Sequence, residues 1–321
     1  MQQRLSALLV LTATVFLSGA VNVGAADARP LSKQQILDLL HGSVASKRIS
    51  TLVEQRGINF EPVEEDYQSL QSAGADGGVL EALRGARRVL PREALLARHR
   101  ARAQEFVSQA AHAAAESEYR AALQLEPRDA SLHAGLASVL ARQSKWDGAV
   151  SSYREAVRLK PQEAETHFQL GVALREAGDI NGAINAWAQA AKLKPDDARA
   201  YGEIGRAYAE KGDWNRAAMA YRVVVRLQPH SGAGYKSLGV ALKNHGDLNG
   251  AVSALREAVR LEPGDAVAHN NLGFALEEKG ELQGALDEYR LAAQINPRDE
   301  AIRTNLDRAA RRLQRPSLVK K

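Results

Sequence analysis

Three histidines recur in a single register, His133, His167 and His269, and Tyr201 and Tyr235 fill that register between them. Imidazole is a common metal ligand and the usual general base near neutral pH, so repeated histidines raise both chemistries. Neither is completed. There is no His-Glu-x-x-His helix to aim two imidazoles at a zinc ion, and no Gly-x-Ser-x-Gly turn to expose a nucleophile. The chain has no cysteine, which excludes disulfides, thiolate metal sites and cysteine nucleophiles. Tyrosine in the histidine register points to helix packing. Gly232-Ala233-Gly234 lacks the third glycine of a dinucleotide loop and follows a helical segment rather than a strand. Asp179-Ile180-Asn181-Gly182 and Asp247-Leu248-Asn249-Gly250 lack the further ligand and distal Glu of a calcium loop, and read as helix starts. The expectation is a noncatalytic chain, not an enzyme, with no metal site and no cofactor.

The elements that carry these residues repeat. Pro127, Pro161, Pro195, Pro229, Pro263 and Pro297 are each 34 residues apart. Ala149, Ala183, Ala217, Ala251 and Ala285 keep the same period, as do Gly171, Gly205, Gly239 and Gly273, with Ala137 in the corresponding place. Leu136, Leu170, Ile204, Leu238 and Leu272 precede that column, and Tyr119, Tyr153, Trp187, Tyr221, Leu255 and Tyr289 form another. Each unit is expected to hold two amphipathic helices, crossing closely where Gly or Ala leaves room. Gly178, Gly212, Gly246 and Gly280 suit the turn between the helices, and Asp179, Asp213, Asp247 and Glu281 suit the positive start of the second helix. Proline ends each unit. A unit of this kind cannot bury its apolar face alone, so stability must come from stacking. With 45% hydrophobic, 25% charged and 5% aromatic residues, the composition fits such a helical chain and excludes a mostly disordered one.

These columns resemble the tetratricopeptide repeat; Tyr201 to Pro229 is the best copy, with Ile204, Gly205, Tyr208, Ala217 and Tyr221 in the family places. The resemblance covers residues 96–299 as six units, the first degenerate because Arg102 and Ala103 replace Leu-Gly. It implies an all-α, right-handed superhelical solenoid whose first helices line a concave groove for a peptide or partner protein. The family's groove positions fall on Glu165, Phe168, Val172 and Arg175, then Arg199 and Arg206, then Lys236, Val240 and Lys243, then Asn270, Asn271, Phe274 and Glu277. Apolar residues flanked by Arg and Lys would suit an extended peptide of acidic or C-terminal carboxylate character. The family's chaperone-tail clamp is incomplete, since Lys236 and Asn271 are present but Val240 stands where Asn is required. A backbone-holding Asn ladder is also incomplete, because Gly135, Gln169, Glu203 and Ser237 depart from it.

Outside the array, residues 26–90 read as a small accessory domain of four helices, with a capping box at Ser32 and Gln35 and a helix stop near Arg56-Gly57. Residues 91–95 are expected to be a linker, 300–314 a capping helix and 315–321 a basic tail. Arg4 followed by the apolar run Leu5–Val21 and a small-residue site at Val23-Gly24-Ala25 predicts a signal peptide over residues 1–25. The protein is therefore expected to be exported, periplasmic or extracellular, with no stable membrane span after cleavage. The net charge of +5 is concentrated in residues 84–102 and 303–321, and no nucleic acid partner is expected. Two other readings stay open: a substrate-delivering subunit of an envelope enzyme complex, and an anionic-surface binder acting through the Arg-rich segments.

Overall fold

The computed structural model describes residues 29–314 as seventeen helices with no strand among the described residues, and two compact units divide between His99 and Arg100. The signal segment and basic tail expected from the sequence lie outside the described residues.

The first unit holds α1 (Lys33–His41), α2 (Ser46–Arg56), α3 (Glu64–Ser72) and α4 (Gly77–Gly85). Ser32 and Gln35 form the expected capping box on α1, and α2 stops where Gly57 takes φ +75°. Ile36, Ile49, Val53, Leu70, Val79 and Leu83 are fully buried and form the core. The unit is built twice. Gly42, Ser43 and Val44 donate backbone N–H groups to Asp38, Leu40 and Leu39, and 31 residues later Ala73, Gly74 and Ala75 donate to Ser69, Gln71 and Leu70. Each helix pair is followed by an extended segment, and Ile58 sits between Leu31 and Arg88 in parallel bridges. That ladder was not apparent in the sequence, since single bridged residues carry no alternating pattern.

The second unit is the repeat array, which α5 (Arg92–Ser108) enters and α6 (His112–Leu125) continues. Residues 92–95, expected as linker, are the first turn of α5, because nothing there breaks a helix after Pro91. The pairs that follow are α7 (Ala130–Arg142) with α8 (Trp146–Leu159), and α9 (Ala164–Glu176) with α10 (Ile180–Leu193). Next come α11 (Ala198–Glu210) with α12 (Trp214–Leu227), and α13 (Gly232–His245) with α14 (Leu248–Leu261). The pair α15 (Ala266–Lys279) and α16 (Leu282–Ile295) and the single helix α17 (Glu300–Gln314) end the array.

The repeated columns have physical counterparts. A Cβ at Gly171 would lie 2.4 Å from the Trp187 ring, and one at Gly205 would lie 2.7 Å from that of Tyr221. The aromatic column therefore occupies the space that glycine vacates on the facing helix. Asp179, Asp213 and Asp247 each cap a second helix, accepting from the backbone N–H three residues on; Glu281, one methylene longer, caps nothing and pairs with Lys279 at 2.7 Å. The turn glycines 178, 212, 246 and 280 all have positive φ, while Ala110 and Ser144 adopt φ of 55° and 57° at the same place in the first two units.

Candidate partner-binding groove

The first helices of the units face one another across unit boundaries: α13 meets α15, and α15 meets α17, whereas second helices pack mainly on their own partner and on the next first helix. The first helices thus form the inner edge of the stack. Their positions along that edge are set from behind. Trp187 of α10 donates its indole N–H to the Phe168 carbonyl at 3.1 Å, which ties the floor of α9 to the helix behind it.

At the Phe168 end, the ring and Val172 are half-buried against the core of units two to four. The Arg199 guanidinium lies 4.7 Å from the Phe168 ring centroid and reaches back one repeat to Glu165 at 2.8 Å, while holding Asp197 at 2.6 Å. Partial burial would raise the Glu165 carboxyl, but the Gln169 amide and Arg199 outweigh it and hold the group below the usual carboxylate range. Arg175 spans the same boundary to Glu203 at 2.8 Å, and Arg206 closes on that Glu203 as well. At the Phe274 end, the Lys243 ammonium stands 4.1 Å from the ring centroid, with Arg308 of α17 at 5.7 Å. Lys236 is paired with Asp265, and Asn270 accepts from the Asn305 side chain at 2.9 Å. Val240 and Asn271 are half-buried between these groups.

All thirteen predicted positions therefore lie on first helices, but they form two aromatic stations rather than one continuous floor. Phe168 packs on one core cluster and Phe274 on another. The expected basic flank is also less available than the residue types imply: Arg175, Arg199, Arg206 and Lys236 each already hold a carboxylate. Lys243 forms no ion pair among the described residues. The acids missed by sequence reading, Asp197, Glu203 and Asp265, neutralise the groove. Only the first left a local signal, Arg199 standing two residues after Asp197; Glu203 and Asp265 lie 28 and 29 residues from Arg175 and Lys236.

Glu277, at the end of the groove list, faces inward instead. With 5% exposure it accepts from Tyr289 at 3.0 Å, Arg308 at 2.9 Å and Arg312 at 2.7 Å. Burial raises its carboxyl and these three donors lower it, the donors prevailing, while burial and the Glu277 charge push the Tyr289 phenol up. The histidine register has its own role: His133, His167 and His269 place Nε2 at 2.9, 2.9 and 3.1 Å from the carbonyls of Pro127, Pro161 and Pro263, six residues earlier. Each thus closes the turn between units. No group of three or more metal-ligating side chains occurs among the described residues.

The family model of the cilia and flagella-associated protein 70 C-terminal domain matches residues 63–310. No curated protein matches the sequence. Among solved structures, the array is similar to YrrB, a tetratricopeptide repeat protein with an unusual peptide-binding site, at 19% identity and TM-score 0.53, over 59% of this chain and 97% of that one. It is also similar to Pseudomonas aeruginosa pilF at 15% identity and TM-score 0.51, over 68% and 98% of the two chains. A tetratricopeptide repeat protein from Parabacteroides merdae is similar at 15% identity and TM-score 0.50, over 67% and 99%. At these identities the likeness is one of fold.

Proposed function

Because the chain belongs to the family of the cilia and flagella-associated protein 70 C-terminal domain, a tetratricopeptide-repeat family, we propose that it is an interaction scaffold holding an extended segment of a partner protein along its first helices. The observation that carries this reading is the pair of half-buried phenylalanines, Phe168 and Phe274, each with a cation over its ring on the inner edge of the stack. They are three units apart. With packed helices about 8–10 Å between axes, that is roughly 25–30 Å, which about eight extended residues span. The partner segment accordingly carries two bulky apolar side chains about eight residues apart. Between them, polar Ser237 and Asn271 can meet its backbone. The carboxylates already on the groove cations limit any acidic preference to the neighbourhood of Lys243. Export of the scaffold belongs to the same proposal and rests on residues 4–25.

The test is selection of binding peptides from a displayed random library, followed by titration of the winners. Two apolar anchors at that spacing are expected, and Phe168→Ala or Phe274→Ala should each weaken binding by about 1–3 kcal/mol, as buried aromatic anchors do. Selected peptides that bind both variants as tightly as the unaltered protein would place the partner elsewhere.

A further inference from the structure

The second helices carry two basic columns at the repeat period, and their chemistry changes in the middle of the array. One column holds Arg158, Lys192, Arg226 and Arg260, and the other holds Arg154, Arg222 and Arg256, all exposed. In units two and five the first column is neutralised on its own helix. Arg158 pairs with Glu155 and Arg260 with Glu257, each three residues back, at 2.6 and 2.9 Å. In units three and four the position of that acid is filled by Gln189 and Val223. Helices α10 and α12 contain no Asp or Glu at all, and Lys192, Arg222 and Arg226 make no hydrogen bond or ion pair among the described residues. Arg222 and Arg226 are one turn apart on α12, an arrangement of like charges that disfavours the helix. Between them and the helix start stands Met219, an apolar side chain with 58% of its surface exposed. Unlike Arg175, Arg199, Arg206 and Lys236 of the groove, the cations of this face have no internal compensation.

We propose that the outer face of α10 and α12 docks on an anionic membrane surface, with Lys192, Arg222 and Arg226 meeting lipid phosphates and Met219 entering the acyl boundary. Charge complementarity requires an anion, and the exposed methionine among the cations favours a lipid surface, which offers an apolar layer beneath its charges. A single-stranded nucleic acid would call for stacking aromatics, and neither helix exposes one. This face is distinct from the first-helix groove, so the two readings stand or fall separately.

The experiment is flotation of the full chain with phosphatidylcholine vesicles and with vesicles that also contain phosphatidylglycerol; the neutral vesicles measure whatever the apolar N-terminal run contributes. Binding is expected to rise with phosphatidylglycerol and to fall with salt. A Lys or Arg near an anionic leaflet contributes about fivefold, so joint replacement of Lys192, Arg222 and Arg226 by Gln should remove on the order of a hundredfold. Val223→Glu, which keeps every cation but restores the acid of the neighbouring units, should weaken binding about fivefold. Met219→Ser should lower the salt-resistant part, and Phe168→Ala should leave binding unchanged. Equal binding to both vesicle types, or a triple variant that binds as the unaltered protein does, overturns the proposal. Duplex DNA bound through the same three cations, with no anionic-lipid increment, would replace the membrane with nucleic acid.

Discussion

A carboxylate left with 5% of its surface must be compensated by its neighbours, and Glu277 draws its compensation from Tyr289 on α16 and from Arg308 and Arg312 on α17. The guanidinium groups are 42% and 57% exposed, so each alone contributes little, while the acid is the shared acceptor that none of them can replace. Glu277→Ala should therefore cost about 1.5–3 kcal/mol, the range for hydrogen bonds to a charged group, whereas Arg312→Ala should cost about 0.5–1 kcal/mol. Thermal unfolding measures both, and faster amide exchange in α17 identifies the helix released. Glu116 makes a comparable network at the other end, accepting from Lys145, Arg120 and Gln143 at 2.8, 2.9 and 3.0 Å. The Lys145 hydrogen bond chiefly, with Arg120 and Gln143 overcoming burial, lowers its carboxyl from 4.5 to about 2. A depressed acid stabilises the fold above its unfolded value, so this contribution is complete above pH 4.5 and is lost as pH falls from there through about 2. With Lys145 and Arg120 more than half exposed, it amounts to about 1–2 kcal/mol, and Glu116→Gln should flatten the acid limb of a stability titration by that much. Neither network was legible in the sequence. Position 277 shares its column with Arg175 and Lys243 and reads as surface, and its arginine partners lie 31 and 35 residues further on.

Helix pairs were more legible than the residues they carry, because a period of 34 residues repeats the same steric requirement many times over. The facing glycine and aromatic columns are an example: Gly205 leaves the volume that the Tyr221 ring fills, so Gly205→Leu must force the pair apart. Leucine gains roughly 1 kcal/mol over glycine in a helix taken alone, so a net loss of about 1–3 kcal/mol would show overpacking to dominate. Lys211→Ala, which removes only an exposed bond to Asn181, should stay within about 0.5 kcal/mol. Equal melting of the two variants would refute the steric role of that glycine. The turns give the opposite case, since Ala110 and Ser144 occupy the left-handed conformation that glycine takes in later units. Glycine relieves strain of about 1–2 kcal/mol there and costs about 0.5–1 kcal/mol in chain entropy, so Ser144→Gly should stabilise by about 0.5–1 kcal/mol. Unfolding in urea decides the sign. What periodicity hid is the first unit's helical continuity, because α5 runs through the expected linker without any apolar pattern to announce it.

For the molecule as a whole, the sequence reading of an all-helical repeat array holds, while its picture of the groove was drawn from residue types without their partners. The cations were visible one by one, but Glu165, Glu203 and Asp265 sit on neighbouring repeats, and their reach across the boundary depends on the angle at which units stack. Export remains an expectation that intact-mass measurement checks, with a mature chain beginning near Ala26 as the expected result and retained Met1 as the contrary one. The placing of these pairs also has a mechanical consequence. Units one and two are strapped together by Glu116 to Lys145, three and four by Arg199 to Glu165 and Arg175 to Glu203, and five and six by Lys236 to Asp265. Among the described residues, no ion pair crosses from two to three or from four to five; the His167 bond to the Pro161 carbonyl closes only the turn at the first of these joints, and both rest mainly on apolar contact. Salt screens exposed charge over about 8 Å at physiological strength and leaves apolar contact intact. The array is thus a spring with two kinds of joint in alternation, and rising ionic strength should soften the strapped joints while the plain ones keep their stiffness.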